Sequence, residues 1–111
     1  MTDELELICF QIISSSGMAK TCYIEALRAA KKGNEELTRL KVEEASNFFV
    51  QGHKIHAELI QKEAAGQSLD FSLILMHAED QMASVETVKL LSEELIELYL
   101  KKSNEAGQKD F

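Results

Sequence analysis

The chain has 111 residues, with 12 Lys or Arg against 19 Asp or Glu and a net charge of −7. This length fits one domain, and an apolar content of 45% is sufficient for a core. The acidic balance argues against nucleic acid and anionic membranes as partners, because both need a basic surface. Since no apolar segment approaches the roughly 20 residues of a membrane helix, and the first residues are acidic, we expect a soluble cytoplasmic protein without direct membrane insertion.

The first predicted helix begins after Thr2, a favourable N-cap, and ends at Gly33. Proline is absent and only five glycines occur, a composition typical of long helices. Gly17 and the serines at 14–16 are candidates for a bend or a break inside this helix.

Two further helices follow. The second is predicted from Asn34 to about Ala65, and the third is capped by Ser68 or Asp70 and continues to about Lys102. Three long helices with short turns predict an all-α, antiparallel up-down-up bundle. We expect residues 1–103 to form this domain and residues 104–111 to form a frayed tail.

The third helix carries polar side chains in the middle of an apolar stripe. With about 100° per residue, the stripe is centred on His77, and four glutamates at 79, 86, 93 and 97 lie near the opposite, solvated side. The polar cluster therefore lies on the face expected to be buried. The stripe contains Leu73, Ile74, His77, Asp80, Gln81, Ser84, Val88, Leu91, Leu95, Leu98 and Tyr99.

Other apolar side chains of this helix lie well off the stripe, so it needs more neighbours than two bundle helices supply. We therefore expect self-association through the third helix. The residues off the stripe are Phe71, Leu75, Met82, Leu90, Ile96 and Leu100.

Burying His77, Asp80, Gln81 and Ser84 without partners would cost several kcal/mol, roughly 1–3 for each group. One interpretation is a satisfied polar layer that fixes the register of a helical scaffold or adaptor. The other is chemistry: a histidine on a rigid helix can serve as a nucleophile or a metal ligand. The residues alone leave both open.

Residues 77–82, HAEDQM, resemble the phosphorylation segment of a known family. This is the enzyme IIA component of the lactose/cellobiose (N,N′-diacetylchitobiose) branch of the bacterial phosphoenolpyruvate-dependent sugar phosphotransferase system. The resemblance extends over EALRAAKKGN at 25–34, GHKIHAELIQKEAAG at 52–66 and LLSEELIELYLKK at 90–102.

The resemblance implies a phosphotransferase component. His77 would accept a phosphoryl group from the carrier HPr and pass it to a cysteine of a cognate IIB component, during uptake of a β-disaccharide such as cellobiose, chitobiose or lactose. It also implies a homotrimer with the third helices around the axis. Asp80 of each subunit would meet there around a divalent metal, Mg²⁺ being the expected ion.

Physical chemistry fits these roles. Imidazole has an unprotonated, nucleophilic fraction near neutral pH. Gln81 would orient the ring or contact a phosphoryl oxygen, and Ser84 is a weaker candidate for the same contact. Three ionised Asp80 side chains at an axis would repel by about 4 kcal/mol per pair, which favours a hard cation. The alternative is that Asp80 pairs with a lysine or stays protonated.

The remaining candidates are two histidines and two cysteines. His53 and His56 are interpreted as surface or interface side chains, with assistance to His77 across a subunit boundary as the alternative. Cys9 and Cys22 lie too far apart along one helix for a disulfide, so we expect packed free thiols. A metal-storage bundle is disfavoured because it needs more inward carboxylates than the pattern offers.

Overall fold

The structure, a computed structural model, describes residues 2–109 of the chain, with side chains through residue 106. It consists of α1 (Asp3–Lys31), α2 (Glu35–Ala64) and α3 (Leu73–Lys109), which confirms the predicted all-α three-helix bundle. The molecule is elongated, with principal extents of 64 × 20 × 19 Å. None of the helices within residues 2–109 is both long and apolar enough to cross a membrane.

The predicted caps of α1 and α2 are confirmed. The Thr2 hydroxyl accepts a hydrogen bond from the backbone N–H of Leu5 at 3.1 Å, and the Asn34 side chain accepts one from the N–H of Leu37 at 3.1 Å. Gly33 follows the end of α1 with φ at +73°, a conformation that glycine adopts without steric cost.

The start of α3 differs from the prediction. The Ser72 hydroxyl accepts from the N–H of Leu75 at 3.1 Å, so Ser72 caps the helix and the assignment to Ser68 or Asp70 is wrong. Leu69, in the non-helical segment before Ser72, packs against the core, and we infer that this tertiary contact is the reason for the later start.

The end of α3 also differs. The helix continues to Lys109, beyond the predicted end at Lys102. The division into a domain and a tail at residue 103 stays a prediction, and residues 110 and 111 lie outside the described part of the chain.

The close approach of α1 to α2 occurs at Gly52. A Cβ atom at this position would lie 3.1 Å from the Cβ of Ser15, and both Ser15 and Ser16 are buried against it. Because α1 is continuous through Gly17, the predicted break at that residue is wrong. A methyl group added at Gly17 would have no neighbouring atom within 4 Å.

The core contains the two cysteines and a tyrosine. Cys9 and Cys22 are buried free thiols, as predicted, and burial raises the pKa of each. Tyr23 is 1% exposed, and burial, with a smaller effect of Glu93, raises its pKa to about 12. These groups are therefore neutral at physiological pH and serve as packing elements.

Candidate functional site

The face of α3 that carries His77 is not covered by the bundle. α3 packs mainly against α1 and makes few contacts with α2, and the side chains it buries are centred about 100° around the helix from His77. The expectation that the His77 stripe forms the buried face is therefore wrong for the protomer. The buried residues of α3 are Ala78, Met82, Val85, Ser92 and Ile96.

Burial of the apolar side chains of α3 does not follow the predicted division into a buried stripe and a surplus set. Met82 and Ile96, assigned to the surplus apolar surface, are 2% and 8% exposed and belong to the bundle core. Leu73, Leu91 and Leu98 of the stripe remain 77%, 57% and 46% exposed. The helix thus has more apolar surface than one bundle buries, as the prediction of self-association requires.

His77 lies in the second turn of α3, exposed and outside the core. No side chain among the described residues bonds to its ring. An exposed imidazole of this kind can be approached by a reacting group from a second molecule. The histidine is neither enclosed by apolar side chains nor on the glutamate side of the helix.

Gln81 lies one turn after His77 and is half-buried. Its Oε1 atom accepts a hydrogen bond from the Nζ of Lys20 at 3.3 Å, which joins α3 to α1. This places an ammonium group beside the predicted site. Lys20 was not predicted as a site residue, because no spacing pattern relates two residues 61 positions apart on different helices.

Asp80 is exposed on the same uncovered face, and Ser84 is half-buried. No carboxylate–cation pair involving Asp80 forms among the described residues of one protomer, so the alternative of a lysine partner finds no support there. The described residues also contain no cluster of three ligating side chains that could hold a metal ion. A metal at Asp80 would therefore need carboxylates from further copies of the chain.

The other two histidines contact residues away from this face. The Nε2 of His56 lies 2.9 Å from both carboxylate oxygens of Glu79, and the His53 ring stacks on Phe49 with centroids 5.8 Å apart. Glu79 lies about 200° around α3 from His77. Assistance to His77 across a subunit boundary stays a prediction.

Comparison with known proteins gives consistent matches. A family model described as "PTS system, Lactose/Cellobiose specific IIA subunit" matches residues 7–100. The chain is similar to the lichenan-specific phosphotransferase enzyme IIA component of Bacillus subtilis, with 38% identity over 96% of this chain and 97% of that protein. It is also similar to the oligo-beta-mannoside-specific EIIA component of the same organism, with 40% identity over 93% of this chain and 92% of that protein.

Among solved structures, the fold resembles the cellobiose-specific enzyme IIA from Bacillus anthracis. The TM-score is 0.88 at 36% identity, covering 94% of this chain and 95% of that one.

Proposed function

We propose that this chain, which belongs to the lactose/cellobiose-specific IIA family of the phosphotransferase system and is a phosphotransferase component of that system, carries phosphoryl groups on His77. The donor is phospho-HPr and the acceptor is a cysteine of the cognate IIB component. The single observation that carries the assignment to His77 is its exposed ring within the HAEDQM segment, outside the core.

In the proposed transfer, a lone pair of the His77 imidazole forms a new P–N bond while the P–N bond of the donor breaks. The imidazole ring of the donor histidine of HPr leaves with that electron pair. The proton that the His77 ring loses is balanced by the proton that the HPr ring gains. In the second step a IIB thiolate attacks phosphorus and the His77 ring leaves. Both steps need in-line approach by a second protein, which an exposed ring permits.

Gln81 is proposed to orient the imidazole or contact a phosphoryl oxygen. It lies four residues after His77, a spacing at which helical side chains are neighbours. Ser84, half-buried on the same side, is a weaker candidate for such a contact.

The assembly that we propose is a homotrimer with α3 around the axis. The uncovered leucines of α3, with Leu91 at 57% and Leu95 at 39% exposure, provide the apolar surface that such contacts would bury. Asp80 lies on the same face, so a threefold arrangement would bring three of these carboxylates together. A divalent cation with a preference for oxygen ligands, Mg²⁺ in our proposal, would offset their repulsion.

The substrate class that we propose for the whole uptake system is a β-linked disaccharide. The similar proteins are named for lichenan, oligo-beta-mannoside, lactose and cellobiose, so these names support β-linked saccharides rather than one sugar. The IIA component exchanges phosphoryl groups with HPr and IIB, and the proposal includes a cytoplasmic location for this exchange. Transfer assays against a panel of IIB proteins would identify the sugar.

The direct test is phosphorylation of the purified protein by phosphoenolpyruvate, enzyme I and HPr. We expect an acid-labile mass gain of about 80 Da per chain in the wild type and none in His77→Gln. Because the side chain is exposed, His77→Gln should fold normally, as circular dichroism would verify.

The matched control is His53→Gln, which removes an exposed histidine from α2 and should leave the mass gain intact. Full labelling of His77→Gln would show that a residue other than His77 is phosphorylated. No labelling of the wild type would favour the alternative of a scaffold in which His77 and Asp80 only set the register.

A further inference from the structure

Lys20 is a half-buried lysine on α1, beside the face of α3 that carries His77. Its Nζ donates to the Oε1 of Gln81 at 3.3 Å, the only bond that links its ammonium group to the described residues. An ammonium group has three N–H donors. The bond to Gln81 therefore leaves donors free for a further acceptor.

The other half-buried lysines among the described residues each form an ion pair with a carboxylate. The distance from the lysine Nζ to a carboxylate oxygen is 3.2 Å for Lys41 and Glu25, 3.5 Å for Lys62 and Glu4, and 2.6 Å for Lys89 and Glu93. Lys20, in contrast, meets a neutral amide oxygen. A partly desolvated cation without a counter-ion is stabilised by any anion that arrives next to it.

General helix geometry places His77 within the expected reach of this cation. Side chains of a helix lean toward its N-terminus, so Lys20 extends in that direction from α1. α1 and α3 are parallel in the up-down-up bundle, and His77 lies one turn closer to the N-terminus of α3 than Gln81. Side chains at this spacing have Cβ atoms about 5–6 Å apart.

We propose that Lys20 binds the phosphoryl group on His77 and neutralises its charge. This inference rests on the proposed function. A phosphoryl group adds about two negative charges, here to a chain whose net charge is −7. Lys20 forms no covalent bond in this role. It donates hydrogen bonds to the non-bridging oxygens, where charge is spread during in-line transfer, while P–N bond making and breaking occur at His77.

The test compares Lys20→Met, Lys20→Arg and the control Lys102→Met. Lys20→Met keeps an apolar chain of similar length but removes the charge, and Lys20→Arg restores a cation with N–H donors. Lys102 is an exposed lysine 25 residues beyond His77 on α3, so its variant makes the same change in net charge away from the site.

Two quantities are measured on the full protein: the equilibrium constant for phosphoryl exchange with phospho-HPr, and the midpoint of thermal unfolding. We expect Lys20→Met to reduce the equilibrium constant by about ten- to a hundredfold, the effect of losing a charge-assisted hydrogen bond. Lys20→Arg should recover most of it, and Lys102→Met should stay near the wild type because exposed charges contribute little.

The outcomes separate this inference from the proposed function. If the wild type accepts the phosphoryl group on His77 and Lys20→Met has the same equilibrium constant, the role of Lys20 is wrong while the carrier function stands. A lower unfolding midpoint with an unchanged equilibrium constant would assign Lys20 to holding α1 against α3 only. If the wild type is not phosphorylated at all, the carrier function itself fails.

Discussion

Gly52 and Gly17 both lie inside helices, but their surroundings differ. A methyl group at Gly52 would be 3.1 Å from the Cβ of Ser15, close to the α1 backbone, whereas one at Gly17 would meet no atom within 4 Å. Packing therefore requires the absence of a side chain at Gly52. At Gly17, packing within the protomer gives no reason for a glycine.

We expect Gly52→Ala to reduce the free energy of unfolding by up to about 2 kcal/mol. Overpacking costs typically about 1–3 kcal/mol, which exceeds the gain of about 1 kcal/mol from replacing a helical glycine. Gly17→Ala, the matched control, should raise the free energy of unfolding by about 0.5–1 kcal/mol. Urea unfolding at equal protein concentration measures both. A Gly52→Ala protein as stable as Gly17→Ala would contradict the close approach of α1 and α2.

Residue identities were predictable from the sequence only where a local pattern exists. His77, Asp80 and Gln81 were selected because helical spacing groups them on one face, and all three lie on or beside the uncovered side of α3. Lys20 was not predicted from the sequence, because its contact with Gln81 depends on how α1 and α3 are aligned. Such an alignment is a tertiary property that one-dimensional spacing does not contain.

At the level of the helices, the prediction was most accurate where glycine and a capping residue occur together. Gly33 and Asn34 fix the turn between α1 and α2 through a positive φ and a side-chain cap. The start of α3 was predicted at Ser68 or Asp70, whereas Ser72 caps the helix and Leu69 before it packs against the core. Local sequence preferences could not supply that information.

The face of α3 that packs in the bundle was the main error. Periodicity identified two apolar sets, but it does not specify which set meets α1 when a helix has apolar residues over much of its circumference. The bundle uses small and flexible side chains such as Ala78 and Met82, which allow close approach. The leucine-rich set remains exposed, where self-association would bury it.

The whole molecule is asymmetric, because α3 contacts α1 extensively and α2 only slightly. An elongated protomer with an exposed leucine stripe is expected to assemble through that stripe. We predict that Leu91→Glu dissociates the proposed trimer, since it places like charges in an apolar contact. The matched control is Val50→Glu, which alters an equally exposed residue, 60% against 57%, on the outer side of α2.

Sedimentation velocity measures this assembly. The wild type and Val50→Glu should sediment with about three times the chain mass of 12.5 kDa, and Leu91→Glu as a monomer.

Asp80→Leu should retain the trimer while removing any dependence on a divalent cation. A wild type that sediments as a monomer at all concentrations would exclude assembly through α3.

In the proposed function, His77 holds a phosphoryl group in transit between two proteins. This transit is tested by a chase, in which the isolated phosphorylated protein is mixed with a purified cognate IIB in the absence of HPr. We predict that the mass of about 80 Da leaves this chain and appears on a cysteine of IIB. Release of the phosphoryl group as inorganic phosphate without labelling of IIB, under conditions in which IIB accepts this group from another IIA component, would contradict a carrier role for His77.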